Sequence, residues 1–334
     1  MASVFPVHNS VLASEALTAR VLSKYPLRQP VSCRFFRRSV TDVYEVTTGR
    51  GPCWLKVYTH GRRSRSDVAE EVHLLNYLRR RGACVVKPLS RADGAFISAI
   101  PAPEGTRYAV LYQNAAGRTM DHKKPRDLRV VGQAVGQIHN ICDGLKTVYR
   151  RRPIDLEFLV DHHLPIIQPF MEHRPKDFEL IRSIGEDVKA KITSLLSRQT
   201  PEFGICHGDL HGDIRIDKNH RPTILDFDSF GYGWRAIDLG ILTTCSHWMG
   251  TDEKSQDSRR SRLDAVLSGY QRERRLNRGE MDALWLAPPV YHIFLMGLVL
   301  EHTVHREGSH WADDNFINWH MKWFRHWAET NRVL

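Results

Sequence analysis

The sequence has little that would mark a secreted, membrane-spanning or repetitive protein. Six cysteines occur among 334 residues, and none of them forms a C-x-x-C pair. No apolar run approaches the length of about eighteen residues that a membrane span requires. The first residues contain neither a basic segment nor a long apolar segment, so we expect no signal peptide. Scattered cysteines of this kind are typical of a reduced compartment, and we expect a cytoplasmic protein with no membrane association.

The charge is unevenly distributed along the chain. Residues 1–120 contain 18 lysines and arginines against 8 acidic residues, an excess equal to the formal net charge of +10. Such a basic region predicts an acidic partner, either a nucleotide or an acidic peptide. It does not favour nucleic acid, because no basic motif interleaved with aromatic residues is present. The sequence indicates nothing about the oligomeric state.

Two acidic clusters near residue 220 carry the strongest chemical signal. The segment His207-Gly-Asp-Leu-His211 follows one apolar run, and Asp226-Phe-Asp228 ends a second apolar run. Carboxylates at the ends of adjacent strands suit phosphoryl transfer to a hydroxyl group. One carboxylate orients or deprotonates the attacking hydroxyl, and the other holds Mg²⁺ on the nucleotide phosphates.

These segments, with the glycine-rich stretch Gly231 to Asp238, resemble the aminoglycoside phosphotransferase-like family, which also contains choline kinase. The resemblance implies an α+β, two-lobed protein kinase-like fold. Its N-terminal lobe is a small antiparallel sheet with one main helix, and its larger C-terminal lobe is mostly helical. It places a nucleotide-binding lobe at residues 1–113, a catalytic and acceptor-binding lobe at residues 114–334, and a hinge near residues 112–118.

The resemblance also implies an activity and a set of roles. The expected reaction moves the γ-phosphate of ATP, with Mg²⁺, to a hydroxyl group of a small molecule or of Ser or Thr in a peptide. Asp209 is expected to act as the catalytic base, and His207 to brace the catalytic loop. Asp226 is the expected metal ligand, with Asp228 as a further contact. Asp238 is expected to accept hydrogen bonds from the backbone of the loop.

Upstream residues extend the resemblance. Alternating apolar residues predict two hairpin strands at 43–46 and 53–58, joined by a turn at 47–52. Lys56 lies inside the second strand and, by resemblance, would hold the α- and β-phosphates. A helical stripe at residues 67–78 follows and carries the expected partner of this lysine. Glu71 is our choice for that partner, although periodicity leaves Glu70 open.

The nucleotide-covering loop is weakly marked, because no G-x-G-x-x-G motif precedes residue 43. Ser39, Thr41 and the amides around them are candidates for capping phosphates. Gln113 and Asn114 begin the expected hinge, where backbone groups would bind the adenine. The remainder predicts helices, including residues 177–196, 262–270, 279–287, 290–304 and 315–330.

Ile214 departs from the family pattern. The motif H-G-D-x-H-x-x-N places a metal-ligating Asn at this position, and isoleucine has no ligand atom. Either Asp213 or Asp217 supplies the missing oxygen, or the protein works with one metal. The alternative is a catalytically impaired kinase that binds a nucleotide or a partner. The acceptor also stays open among antibiotics, amino alcohols, homoserine-like metabolites and peptides. The basic N-terminal region slightly favours an acidic acceptor. A polycationic aminoglycoside fits less well, because its site would need acidic walls and the charges of the C-terminal region balance.

Overall fold

The computed structural model describes residues 5–38, 40–210, 214–244, 253–304 and 313–331. It divides the chain into two compact units. The first unit comprises residues 1–116 and 223–228, and the second comprises residues 117–222 and 229–334. The division after residue 116 falls within the segment expected to form a hinge. Each unit is described separately.

The first unit is built on an antiparallel sheet of five strands in the order β1-β2-β3-β5-β4. The strands are β1 (Ser32–Arg38), β2 (Thr41–Thr48), β3 (Gly51–Tyr58), β4 (Ile97–Ala102) and β5 (Gly105–Gln113). The predicted hairpin is present, but its strands are longer and its turn shorter than expected. Its turn is Gly49-Arg50, and Gly51 has φ +110°, a value that favours glycine.

Two helices accompany this sheet. Helix α1 (Ser14–Arg20), which the sequence did not indicate, leads into a 3₁₀ turn (Leu22–Lys24). Leu17 and Leu22 of this segment join the apolar cluster that includes Tyr44 and Leu55 of the sheet. Helix α2 (Arg65–Arg80) is the predicted helix, and Ser64 caps it in a reciprocal capping box with Asp67.

Residues 223–228 belong to the first unit, whereas the sequence-based boundary had placed them in the second lobe. Hydrogen bonds explain the difference. The N–H of Val86 donates to the carbonyl of Ile224 at 3.0 Å, and the N–H of Ile224 donates to the carbonyl of Cys84 at 2.9 Å. Residues 83–88, whose apolar run is typical of a strand, form only isolated bridges in the structure, one of them the parallel bridge Val85–Ile224. Asp226 is thereby part of the same unit as Lys56.

The second unit is mostly helical, as predicted. Its helices are α3 (Pro125–Asp143), α4 (Leu164–Ile167), α5 (Pro175–Leu195), α6 (Arg235–Thr244), α7 (Glu253–Tyr270), α8 (Arg278–Ala283), α9 (Ala287–Val304) and α10 (Asp314–Asn331). The described part of this unit also contains a π-helical turn (Glu157–Asp161) and a 3₁₀ turn (Gln168–Met171). A further 3₁₀ turn (Phe227–Ser229) spans the division of the chain after Asp228. The predicted helix at 279–287 ends early because Pro288 and Pro289 favour a new helix start.

Short strands support the loops of the second unit. They are β6 (Arg118–Thr119), β7 (Phe203–Cys206), β8 (Ile214–Ile216) and β10 (Gly231–Trp234), with β9 (Pro222–Ile224) at the boundary between the units. Strand β7 pairs with β10, and β6 pairs with β8, both antiparallel. Helices α3 and α7 pack closely, since a Cβ on Gly269 would lie 1.8 Å from the Arg129 carbonyl oxygen. The architecture confirms the predicted α+β, kinase-like fold.

Candidate active site

Lys56 is a buried cation of the first unit. It lies in β3 opposite Val43, and the residue is 8% exposed. Its Nζ lies 2.5 Å from Oδ1 of Asp226 and 3.9 Å from Oε1 of Glu71. Burial alone would lower the pKa of Lys56, but the carboxylates of Asp226 and Glu71 raise it above its ordinary value. The lysine is therefore a fixed positive charge in a chain of ion pairs.

Glu71 is held by two tyrosines as well as by Lys56. The hydroxyl of Tyr58 donates to Oε2 at 2.8 Å, and the hydroxyl of Tyr112 donates to Oε1 at 3.0 Å. Burial, followed by the neighbouring charge of Glu71, raises the pKa of both tyrosines well above the usual value, so they stay protonated donors. Of the two glutamates that the sequence left open, the structure places Glu71 beside the lysine.

Asp226 has a strained backbone. Its φ is +55°, a value uncommon for residues other than glycine, and such residues are enriched at functional sites. Its side chain keeps about a third of its surface exposed, at 34%. An accessible carboxylate beside a buried lysine is an oxygen donor of the type that Mg²⁺ prefers. The local chemistry therefore fits the role implied by the resemblance.

Asp228 is placed differently from expectation. It is buried, and Arg63 Nε donates to its Oδ1 at 2.7 Å while Arg62 Nη2 donates to its Oδ2 at 3.1 Å. Burial would raise the pKa of Asp228, but Lys56, Arg63 and Arg62 hold it well below its usual range. Because two guanidinium groups already hold both carboxylate oxygens, we leave Asp228 out of the proposed metal site.

The other nucleotide-binding candidates differ in their settings. Ser39 lies outside the described residues. Thr41 is buried in β2 at 3% exposure, which leaves its hydroxyl little surface for a phosphate. The N–H of Gln113 donates to the carbonyl of Lys87 at 2.9 Å. Asn114 Oδ1 accepts a hydrogen bond of 2.8 Å from Trp54 Nε1. The nucleotide-binding roles of these four residues stay predictions.

In the second unit, Asp238 organises the loop that follows β7. Its Oδ2 accepts the N–H of His207, and its Oδ1 accepts the N–H of Gly208, both at 2.8 Å. Gly208 has φ +82°, and a Cβ there would lie 2.6 Å from the carbonyl oxygen of Ser229. This arrangement matches the bracing role that the resemblance implied for Asp238.

His207 and Asp209 are connected within the same loop. The N–H of Asp209 donates to Nδ1 of His207 at 3.2 Å, so this nitrogen is an acceptor. His207 is buried at 5% exposure, while Asp209 is partly exposed. An acceptor Nδ1 bonded to the loop backbone suits a bracing histidine better than one that transfers protons.

Tyr291 is a site residue that the sequence did not indicate. Its hydroxyl donates to Oδ1 of Asp209 at 3.1 Å, from helix α9 and 82 residues further along the chain. The tyrosine itself is buried at 2% exposure. No local motif surrounds it, so only the tertiary contact reveals its position. Asp209 is thus oriented from both its backbone and its side chain.

His139 is a core residue behind the loop. Its Nδ1 lies 2.9 Å from the Tyr270 hydroxyl, and its Nε2 lies 3.3 Å from Oδ2 of Asp238. Burial lowers the pKa of His139 to about 4, so the ring is neutral near pH 7. Its place in a packed network explains this histidine without a ligand.

Ile214 is a core residue at the start of β8. It is 1% exposed, and its carbonyl accepts the N–H of Met120 at 2.9 Å. Asp217 closes the turn after β8, because its Oδ1 accepts the N–H groups of Asn219 and Arg221. Asp213 lies outside the described residues and directly precedes the strand in sequence. Ile214 therefore packs in the core, and the side chain of Asp217 stabilises the turn after β8.

Comparison with known proteins identifies the family. Residues 32–276 match the phosphotransferase enzyme family. An uncharacterised protein of Synechocystis sp. is 34% identical over 269 residues, covering 80% of this chain and 72% of that protein. Amicoumacin kinase of Bacillus subtilis is 24% identical over 286 residues, covering 83% of this chain and 80% of that protein.

Solved structures show the same fold. An amicoumacin kinase solved with AMP-PNP and Ca²⁺ has a TM-score of 0.76 at 21% identity, covering 94% of each chain. A microcompartment-associated aminopropanol kinase also has a TM-score of 0.76, at 16% identity, covering 96% of this chain and 98% of the other. No helix in the described part of the chain is both long and apolar enough to cross a membrane.

The family match covers most of the chain and includes both acidic clusters. The resemblance that the sequence motifs indicated is confirmed. The chain belongs to the phosphotransferase enzyme family and is a kinase with a hydroxyl acceptor.

Proposed function

We propose that this kinase transfers the γ-phosphate of ATP, as its Mg²⁺ complex, to a hydroxyl group of a small molecule that also carries an amino group. The observation that carries the proposal is Lys56, buried between Glu71 and Asp226. An isolated buried cation is costly, so a lysine kept at such a position needs fixed anionic partners. Phosphate oxygens would add to the partners of this lysine.

The proposed roles follow from the geometry of each residue. Lys56 binds the α- and β-phosphates, and Glu71 holds the lysine in position. Asp226 would hold the metal ion, and Asp213 is the proposed second oxygen donor. The bound metal would neutralise charge on the phosphates.

Asp209 is proposed to accept the proton of the acceptor hydroxyl. The hydroxyl oxygen then forms its bond to the γ-phosphorus as the bond between that phosphorus and the leaving ADP oxygen breaks. Asp238, His207 and Tyr291 hold Asp209 in place. Preorganised groups of this kind require little rearrangement at the moment of reaction.

An active enzyme is better supported than an impaired kinase. The impaired alternative rested on Ile214 at the position of a metal ligand. Because Ile214 is buried in β8, its replacement of Asn does not by itself remove an oxygen donor from an accessible position. Asp213 keeps a carboxylate directly before the strand.

The proposed acceptor class rests on relatives. Relatives and structural neighbours whose names specify a substrate include spectinomycin and aminoglycoside phosphotransferases, and kinases of amicoumacin, aminopropanol, homoserine, choline and ethanolamine. The last four acceptors are small amino alcohols in the broad sense. A peptide acceptor has less support, because part of the basic charge that favoured it is neutralised by internal partners, as Arg62 and Arg63 show.

The first test measures phosphate transfer from ATP to a panel of amino alcohols and serine-containing peptides in the presence of Mg²⁺. We expect Asp209→Ala to lower kcat about 10²- to 10⁴-fold, the range typical of a positioned general base. Asp213→Ala is expected to lower activity strongly, whereas its matched control Asp217→Ala is expected to retain it. Equal turnover by Asp209→Ala and the unmodified chain would refute the proposal.

A further inference from the structure

A pocket in the second unit contains polar atoms that phosphoryl transfer does not use. Helices α7 and α10 line it, together with Trp285, which lies between α8 and α9. Its volume is about 210 Å³. This is roughly seven times the ~30 Å³ that a water molecule occupies in the liquid. The pocket is therefore large enough for a small organic molecule.

Arg259, a half-buried residue, supplies a positive charge to this pocket. Its Nε atom is buried and has no hydrogen-bond partner among the described residues. Burial, and then the neighbouring charge of Arg262, lower the pKa of Arg259 to about 10. Its guanidinium carbon lies 5.2 Å from the ring centroid of Trp285, a cation–π contact. The charge is thus only partly compensated within the described chain.

The pocket wall also offers a second donor and flat apolar surfaces. Trp327 Nε1 is buried without a hydrogen-bond partner in the described structure. The rings of Trp323 and Trp327 stack with centroids 5.4 Å apart and an interplanar angle of 22°. Buried donors almost always have a partner in folded proteins, so two of them in one pocket require an explanation.

Arg260 does not provide that explanation. It also lines the pocket, but it is exposed and lies 3.4 Å from Asp257, to which it is paired. The pair adds no net charge at the pocket rim. The uncompensated charge of the pocket is therefore that of Arg259.

We propose that this pocket binds a small organic anion, a carboxylate or phosphate monoester attached to a flat apolar group. The anion pairs with Arg259, and Trp327 Nε1 donates a hydrogen bond to one of its oxygens. The flat group packs against the indole rings. This binding activity goes beyond phosphoryl transfer and does not depend on it.

The experiment titrates the full chain, without nucleotide, with phenyl phosphate. Calorimetry gives the affinity, and tryptophan fluorescence reports the pocket. Two matched probes separate the parts of the ligand. Benzyl alcohol carries the flat ring without the anion, and inorganic phosphate carries the anion without the ring. We expect saturable binding of phenyl phosphate, and binding of either half about tenfold weaker or more.

Variants locate the binding. Arg259→Gln is expected to weaken phenyl phosphate binding about tenfold or more, because a charged hydrogen bond is lost. Trp327→Phe keeps an aromatic ring but removes the donor, and it is expected to weaken binding several-fold. Arg278→Gln is the control, since the Arg278 side chain is 97% exposed. Unchanged affinity in Arg259→Gln, or phosphate binding as tightly as phenyl phosphate, would overturn the proposal.

Stability gives an independent readout. Removal of a half-buried, poorly compensated charge is expected to leave the Tm of the ligand-free protein unchanged or to raise it. If Arg259 served only to stabilise the fold, its replacement would lower the Tm. A clear fall in the Tm of Arg259→Gln would therefore count against a ligand-binding role, whatever the activity of the variant.

Discussion

At the scale of single residues, the carboxylate of Asp209 takes its orientation from one near and one distant neighbour. The near neighbour is His207, which accepts the backbone N–H of Asp209. The distant neighbour is Tyr291, whose hydroxyl donates to the carboxylate itself. A base held from two directions loses little conformational freedom when an acceptor binds, because most of that freedom is already lost in the folded protein.

Removal of the Tyr291 hydroxyl tests this arrangement. We expect Tyr291→Phe to lower kcat about tenfold, since a hydrogen bond to a charged group contributes about 1.5–3 kcal/mol. The KM for ATP is expected to stay unchanged, because the change affects the position of the proposed base. Steady-state kinetics with Tyr108→Phe as a control measures both constants. An unchanged kcat would show that Tyr291 does not position Asp209.

At the scale of elements, strand β8 explains why the motif ends differently in this chain. Its burial pattern alternates, with Ile214 and Ile216 inside and Arg215 partly exposed. The strand thus begins at the position where the family motif places Asn. Packing of the strand decides the residue type at 214, because an amide there would be buried.

Introduction of the family residue is therefore expected to damage the protein. Ile214→Asn should lower the free energy of unfolding by about 3–5 kcal/mol, through lost apolar contacts and a buried amide. Arg215→Asn, at the neighbouring partly exposed position, is the control and should cost far less. Urea denaturation and ATP turnover are measured together. A stable Ile214→Asn protein with increased turnover would instead favour an impaired natural enzyme.

At the scale of the whole molecule, burial of histidines links stability to pH. Burial lowers the pKa of His139 and of His163 to about 4, and that of His320 to about 3. The ordinary value is 6.5. Between pH 6.5 and these lowered pKa values, the histidines are protonated in the unfolded chain but neutral in the folded chain. The unfolded chain therefore binds more protons, and the free energy of unfolding decreases as the pH falls. The pKa values of buried Asp228 and Asp238 are lowered from the ordinary 3.8, so protonation of these carboxylates reduces stability only at a pH below this range.

We expect the free energy of unfolding to decrease as the pH is lowered from 6.5 to about 4. His320→Gln should reduce the slope of this dependence by up to about 1.4 kcal/mol per pH unit, the linkage of one proton. The exposed His8 provides the control His8→Gln. Urea denaturation at several pH values measures the slopes. Equal slopes for His320→Gln and the unmodified chain would contradict the assigned cause.

The sequence by itself was enough to identify the family, the kinase-like fold and the main helices. The acidic motifs are short and local, and helical periodicity is set by neighbouring residues. The family resemblance also singled out Lys56 and Glu71, because the strand and the helix that carry them each have a local pattern. The choice between Glu70 and Glu71 needed the structure, since both glutamates lie next to the apolar stripe.

Tertiary structure alone decided which distant groups meet. It placed residues 223–228 in the first unit, and it placed Arg63 on Asp228 across 165 residues of sequence. It also brought Tyr291 to Asp209 and placed the guanidinium of Arg259 over the ring of Trp285. These contacts join segments far apart in the chain, and no periodicity or spacing encodes them. The hydrogen bonds and ion pairs among them form because a polar group that loses its contact with water is stabilised by a partner in the packed chain.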